Sequence, residues 1–113
     1  LQEIHSHTSF PYVAVIDELV VGYVCLMSLF EDAQILNIAV APQQRGKGIA
    51  RKLLELAVST ARERGAEVLA LEVRESNAAA IKMYEDFGFV RYFVRKGYYE
   101  GKEDALLMEK ILN

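Results

Sequence analysis

N-I-A-V-A-P-Q-Q-R-G-K-G-I-A-R-K-L-L, residues 37–54, is the stretch that decides how this chain folds. Its first residues complete Ala33–Val40 (AQILNIAV), dense in β-branched and apolar side chains, which reads as a buried strand. Pro42 then stops strand pairing and directs the chain into a turn. From Ile49 onward apolar residues fall at Ile49, Leu53, Leu56, Ala57 and Thr60/Ala61, the spacing of one helix face. Gly65 suits the helix end, with Arg62 and Arg64 in the last turn. Between strand and helix lies Arg45-Gly46-Lys47-Gly48-Ile49-Ala50. Its glycines let the backbone approach a bulky anion, and the helix turns unpaired N–H groups toward the same spot. With Arg51 and Lys52 it makes a basic patch for a phosphate-bearing ligand, although a merely solvated connection has the same composition. The turn is not a Walker loop, because no Ser or Thr follows the Gly-Lys pair. Nor is it a dinucleotide fingerprint, because the third glycine is missing.

Outward from this unit, Tyr12–Ile16 and Val20–Leu29 read as two strands joined at Asp17-Glu18, and with Ala33–Val40 they form an antiparallel meander. Val68–Val73 follows a strand–helix crossover and is therefore expected to run parallel to the strand ending at Val40. Ser76 or Asn77 can cap a second helix that runs to about Phe87 and stops at Gly88. Phe89–Arg95 and Ala105–Ile111 are the last strands, flanking a loop at Lys96–Asp104, with Ala105–Ile111 expected at a sheet edge open to pairing. The whole is one mixed α/β domain, residues 1–113.

With 52% apolar and 26% charged residues, the chain has the composition of a globular domain. The net charge of −3 excludes general affinity for nucleic acid or for an acidic membrane surface. A single cysteine, Cys25, forbids an internal disulfide, reads as core and fits a reducing cytoplasm. His5-Ser6-His7 is a His-x-His pair without companion ligands, so no metal site is expected. Both histidines precede residue 8, which leaves no His-assisted nucleophile in the core.

Three positions stand out near the expected carboxyl ends of the parallel strands, where open α/β sheets bind ligands. Glu72 sits in an apolar strand expected to be covered by helices, so its carboxylate must reach a cleft or find a partner such as Arg74. Asn77 can be a helix cap or a ligand contact. Tyr84 can be core or site.

At this point the chain resembles the GNAT family of N-acetyltransferases. The likeness rests on residues 37–54 and on L-E-V-R-E-S-N-A-A-A-I-K-M-Y-E-D-F-G-F, residues 71–89. The family's turn pattern, Gln/Arg-x-x-Gly-x-Gly/Ala, is met by Arg45, Gly48 and Ala50. The likeness continues through R-K-G-Y-Y (95–99) and E-D-A-L-L-M (103–108), and is greatest to the branch that acetylates protein amino termini, including that of a small-subunit ribosomal protein.

The resemblance implies a central mixed sheet with an antiparallel first half, a parallel strand pair at the acetyl-CoA cleft and helices on both faces. It implies acetyl-CoA as cosubstrate, its pantetheine arm along Ile38, Ala39 and Val40. The pyrophosphate would lie over Arg45, Gly46, Lys47, Gly48, Ile49, Ala50 and Arg51, and Asn77 would bond the arm. Glu72 matches the base, Tyr84 the acid that protonates the leaving thiolate, and Tyr98 and Tyr99 a loop that holds the acceptor's amino-terminal backbone. Family members usually begin with a strand and one or two helices before the segment equivalent to Tyr12, so a domain lacking those amino-terminal elements is expected. A lysine or small-amine acetyltransferase and a non-catalytic acetyl-CoA-binding module share the same signature. A generic nucleotide-binding module would differ in binding ATP as readily as CoA.

Overall fold

The computed structural model describes residues 8–16, 19–29, 31–46 and 48–112. Strands β1 (Thr8–Ile16), β2 (Leu19–Leu29) and β3 (Asp32–Val40) come first. The first helix, α1 (Ile49–Glu63), leads to β4 (Val68–Arg74), and the second, α2 (Ala78–Asp86), leads to β5 (Val90–Tyr99) and β6 (Glu103–Ile111). The six strands form one sheet in the order β1-β2-β3-β4-β6-β5. The β3/β4 pair is parallel and the other neighbours are antiparallel. The meander, the crossover and the mixed sheet are as the sequence predicts.

The β3/β4 pair is the feature that makes a site. The two strands match only at Asp32↔Val68, Ala33↔Leu69 and Gln34↔Ala70, and beyond Gln34 they part. The cause lies on the other side of β3. Against β2 the register passes from Cys25↔Asn37 to Leu26↔Ile35, leaving Leu36 as an inserted residue. Such a bulge bends the strand that carries it. The carboxyl-terminal half of β3, Ile38–Val40, is thereby turned away from β4, and a gap opens in the middle of the sheet.

One face of the sheet carries the core. Leu69, Leu71 and Val73 alternate inward along β4 and share their face with Met108 and Leu106 of β6. Leu53, Leu54, Ala57 and Ala61 of α1 and Ile81 and Tyr84 of α2 join the same cluster. Each fully buried leucine there contributes about 1.5–3 kcal/mol. Among the described residues both helices therefore cover one face, not two as expected. The opposite face, with Gln34, Leu36 and Glu72, is exposed. The helix face also differs from its prediction: Leu56 is exposed, while Leu54 and Val58 are buried. The buried stripe is turned past Ala57 and Ala61 toward Leu54 and Val58, away from Leu56 on the other flank.

The other differences lie near the carboxyl terminus. Lys96–Asp104 is mostly strand, because Asp104 accepts from the Gly97 N–H at 2.9 Å and pairs with Lys96, and the hairpin turns only at 100–102. β6 lies between β4 and β5, so the edge is β5. Cys25 is half-buried.

Gly22 fixes how closely α1 approaches the sheet. A Cβ there would lie 2.8 Å from the Ala39 carbonyl oxygen and 3.3 Å from Leu53 Cδ1. Gly22→Ala is expected to lower stability by roughly 1–3 kcal/mol, the usual cost of overpacking, read as a fall in the urea midpoint at unchanged slope.

Candidate active site

The sheet gap has a hollow on each side. On the helix side a cleft of about 720 Å³ runs from Ile38–Val40 past the turn to α2. Its floor is the half of β3 beyond the bulge, where no strand pairs on the β4 side, so backbone N–H and C=O groups there are open to a ligand. The turn is shaped by Gly46 at φ 83° and Gly48 at φ 78°, left-handed conformations that other residues adopt at a cost. Gly48 is the N-cap of α1 and contributes no side-chain cap, so the first N–H groups of that helix have no cap partner. Arg45 Nε donates to the Val40 carbonyl at 3.3 Å, which ties the turn to the strand.

Of the expected cofactor-binding residues, Ile38, Ala39, Val40, Arg45, Gly46, Gly48, Ile49, Ala50, Arg51 and Asn77 all line this cleft. Lys47 lies outside the described residues, as do His5 and His7. Besides Arg45, two members are already engaged. The Arg51 guanidinium donates to Asp86 at 3.1 Å, an exposed pair that joins the turn to the end of α2. That contact and the one from Lys82 hold the Asp86 carboxyl below its ordinary pKa. Asn77 Oδ1 accepts from the Ala80 N–H at 3.3 Å as the cap of α2. Its amide nitrogen is still able to donate, so capping and ligand contact are compatible.

Tyr84 also lines the cleft, at 4% exposure, with its ring packed 5.9 Å from that of Phe89. Burial pushes its phenol above the ordinary tyrosine pKa, so it is a proton donor throughout the neutral range. Sequence reasoning missed Gln44, Ala79, Ala80 and Met83 as site residues, and these complete the lining. Ala80 lies four residues before Tyr84 on the same helix face, the signal that would have found it.

Glu72 is elsewhere. It projects from the uncovered face into a second hollow of about 310 Å³, with Gln34, Leu36, Tyr92, Arg95 and Tyr99. It is exposed, not buried under helices, and its partner is not Arg74. Tyr99 Oη donates to Glu72 Oε2 at 3.1 Å. Arg74 pairs with Glu103 at 3.1 Å. Tyr99 lies in this hollow because β5 carries two extra residues between Arg95 and Tyr99, relative to Ala105 and Glu103 of β6. Tyr98 meets Tyr99 edge-on at 5.1 Å and lies under the Arg95 guanidinium, lining neither hollow.

Acid and base candidates thus sit on opposite sides of the sheet, where β3 and β4 part. A ligand in the helix-side cleft can meet a second molecule from the open side only through the β3/β4 gap. This geometry suits group transfer between two molecules bound together. Among the described residues no cluster of three or more His, Cys, Asp or Glu is placed to hold a metal ion. No described helix is long and apolar enough to cross a membrane.

Comparison with known proteins agrees with this geometry. The profile of the "Acetyltransferase (GNAT) family" matches residues 1–89. The chain is 43% identical over 83 residues to the [ribosomal protein bS18]-alanine N-acetyltransferase of Escherichia coli K12, covering 71% of this chain and 56% of that protein. The crystal structure of the E. coli ribosomal-protein-S18-alanine N-acetyltransferase superposes with a TM-score of 0.88 at 33% identity, over 93% of this chain and 70% of that one. An N-alpha-acetyltransferase of Saccharolobus solfataricus is 40% identical over 114 residues, covering 89% of this chain and 68% of the relative. A GNAT acetyltransferase from Elizabethkingia anophelis, solved with acetyl-CoA bound, matches with a TM-score of 0.84 at 25% identity, over 90% of this chain and 75% of that one. This chain spans little more than half the length of the E. coli relative.

Proposed function

The chain belongs to the GNAT acetyltransferase family, and from that premise we propose that it transfers acetyl from acetyl-CoA to the α-amine of a protein. The acceptor class is a protein amino terminus, with a small-subunit ribosomal protein as the leading candidate. The observation that carries the reading is the pairing of hollows across the split sheet, one lined by the phosphate turn and Tyr84, the other by Glu72 and Tyr99. The relatives named for amino-terminal acetylation supply the acceptor class. A cytoplasmic location belongs to the same reading, since ribosomal proteins present their amino termini there.

The helix-side cleft fits acetyl-CoA chemically. Its glycine turn accepts phosphates without a side chain in the way, since a Cβ at Gly46 or Gly48 would meet nothing within 4 Å. The unpaired edge at Ile38–Val40 can bond an extended amide-bearing arm as a strand would. One N–H from that edge polarises the reacting carbonyl. When bound, acetyl-CoA supplies an acetyl group activated as a thioester.

The chain's own residues manage two protons. Glu72 takes the proton that the amine must lose, directly or through one water, as the C–N bond forms. Tyr84 gives its phenolic proton to the departing sulfur as the C–S bond breaks, and recovers one from solvent. Tyr99 stands beside Glu72 where the acceptor backbone would enter, and Tyr98 meets Tyr99 edge-on behind it.

The test uses two copies of one alanine-starting peptide with a distal lysine, one with a free α-amine and one blocked, read by mass spectrometry. Acetylation of the free copy alone, at its amino terminus, is expected. Lysine modification in both copies would overturn the acceptor class. A separate prediction concerns the turn. Gly48→Val forces a β-branched residue to φ 78°, a strain of roughly 1–3 kcal/mol that the backbone relieves by re-aiming its N–H groups. The Kd for acetyl-CoA is expected to rise about tenfold by calorimetry, and an unchanged Kd would remove the turn from the binding site.

A further inference from the structure

A relay of contacts outside the two hollows' chemistry, from Ser76 through Glu103 to Arg74, ends on Tyr99. The Arg74 guanidinium lies 4.0 Å from the centre of the Tyr99 ring. Its Nη1 is held by Glu103 Oε1 at 3.1 Å. The other oxygen of Glu103 accepts from the Ser76 backbone N–H at 2.7 Å. Ser76 and Arg74 hold the Glu103 carboxyl below its ordinary pKa, so it is ionised wherever the protein is folded near neutrality. Glu72 and Arg74 are two residues apart on one strand and so face the same way. The Tyr99 side chain spans them, with its ring under Arg74 and its hydroxyl on Glu72.

We infer that Arg74 and Glu103 are positioning residues for Glu72: the pair clamps the Tyr99 ring so that its hydroxyl holds one oxygen of the Glu72 carboxylate and leaves the other for the acceptor amine. The inference deepens the proposed function and rests on it for its kinetic consequence, though not for the clamp itself.

The geometry explains why the clamp is needed. Glu72 stands on an uncovered face, where a carboxylate with a single strand anchor samples several rotamers. A planar guanidinium over the ring restrains Tyr99 on one side, and the Tyr98 ring meets it edge-on. Arg74 is itself 55% exposed and would wander without Glu103. Glu103 is fixed in turn by Ser76, in the turn that leads into the Asn77 cap of α2. One carboxylate therefore links the acceptor side to the helix that carries Tyr84.

Two measurements test this separately. The first needs no turnover. With 13Cζ-labelled tyrosine, Glu72→Gln is expected to shift the Tyr99 resonance in the otherwise native protein, and to leave it in place in a protein already carrying Arg74→Ala. An equal shift in both backgrounds would overturn the clamp, whatever the activity. The second is kinetic. Arg74→Ala is expected to lower kcat on the order of tenfold, the lower range for a misplaced catalytic group, with the Kd for acetyl-CoA and the melting temperature unchanged. In the Tyr99→Phe background the same substitution should change kcat by less than about twofold, since non-additivity marks a shared route. Equal fold-losses in both backgrounds would show that Arg74 does not act through Tyr99. Glu103→Gln should follow Arg74→Ala in direction with a smaller effect. Failure of the native protein to acetylate any amine would overturn the functional reading and with it the kinetic role, while the resonance measurement still decides the clamp.

Discussion

Tyr84→Phe is expected to lower kcat by roughly a hundredfold or more, the scale of general acid catalysis, while the Kd for acetyl-CoA changes little. The substitution deletes one oxygen and keeps the ring, so packing against Phe89 at 5.9 Å is retained and the fold should hold. The loss should fall on the step that releases sulfur. It should therefore be reduced with a thioester whose thiol is more acidic, because such a group leaves without help. The direction of the pKa shift adds a pH test. Burial raises the phenol above its ordinary value, which favours the protonated, donating form. Activity should accordingly show no decline from Tyr84 ionisation until the pH exceeds that ordinary value. Equal losses in kcat and acetyl-CoA affinity would instead assign Tyr84 to packing.

Glu72→Gln is the second large effect, roughly a hundredfold to ten-thousandfold in kcat as general base catalysis contributes. The amide is the same shape and can still accept from Tyr99 Oη, so the 3.1 Å contact survives while the proton acceptor is lost. Because Glu72 is exposed on the uncovered face, the variant should melt as the native protein does. Acetyl-CoA affinity should be unchanged, since Glu72 does not line the helix-side cleft. Raising the pH should recover part of the lost rate, because a larger fraction of the acceptor amine is then already neutral. A pH-independent residual rate would mean that Glu72 orients the acceptor and takes no proton.

Local elements were legible in the sequence because each has a local cause. The 3.6-residue period gives α1, Pro42 and the two glycines give the turn, and Asn77 and Gly88 bracket α2. The gap in the sheet was not legible. AQILNIAV reads as one continuous strand, and the bulge at Leu36 depends on pairing with a strand ten residues away. Glu72 was expected on a strand covered by helices, where its carboxylate would need a cleft or a partner. Only the Leu69, Leu71 and Val73 side of that strand is covered. Residues 96–104 were expected as a loop, whereas Asp104 closes a hairpin there. Arg74 was weighed against Glu72 on its own strand, and its partner Glu103 comes from another strand. Tertiary pairing chooses among local possibilities, and the site depends on three such choices.

Direct transfer across the β3/β4 gap is the central claim, and a bisubstrate conjugate tests it most directly. The probe is an alanine-starting peptide whose α-amine is joined through an acetyl bridge to the sulfur of CoA. Steady-state inhibition should be competitive against acetyl-CoA and also against the peptide, with the conjugate binding far more tightly than either half, because linkage makes the second contact intramolecular. Competition against acetyl-CoA alone, at an affinity no better than that of CoA, would mean that the two hollows do not communicate through the gap, and the account of the site would fail.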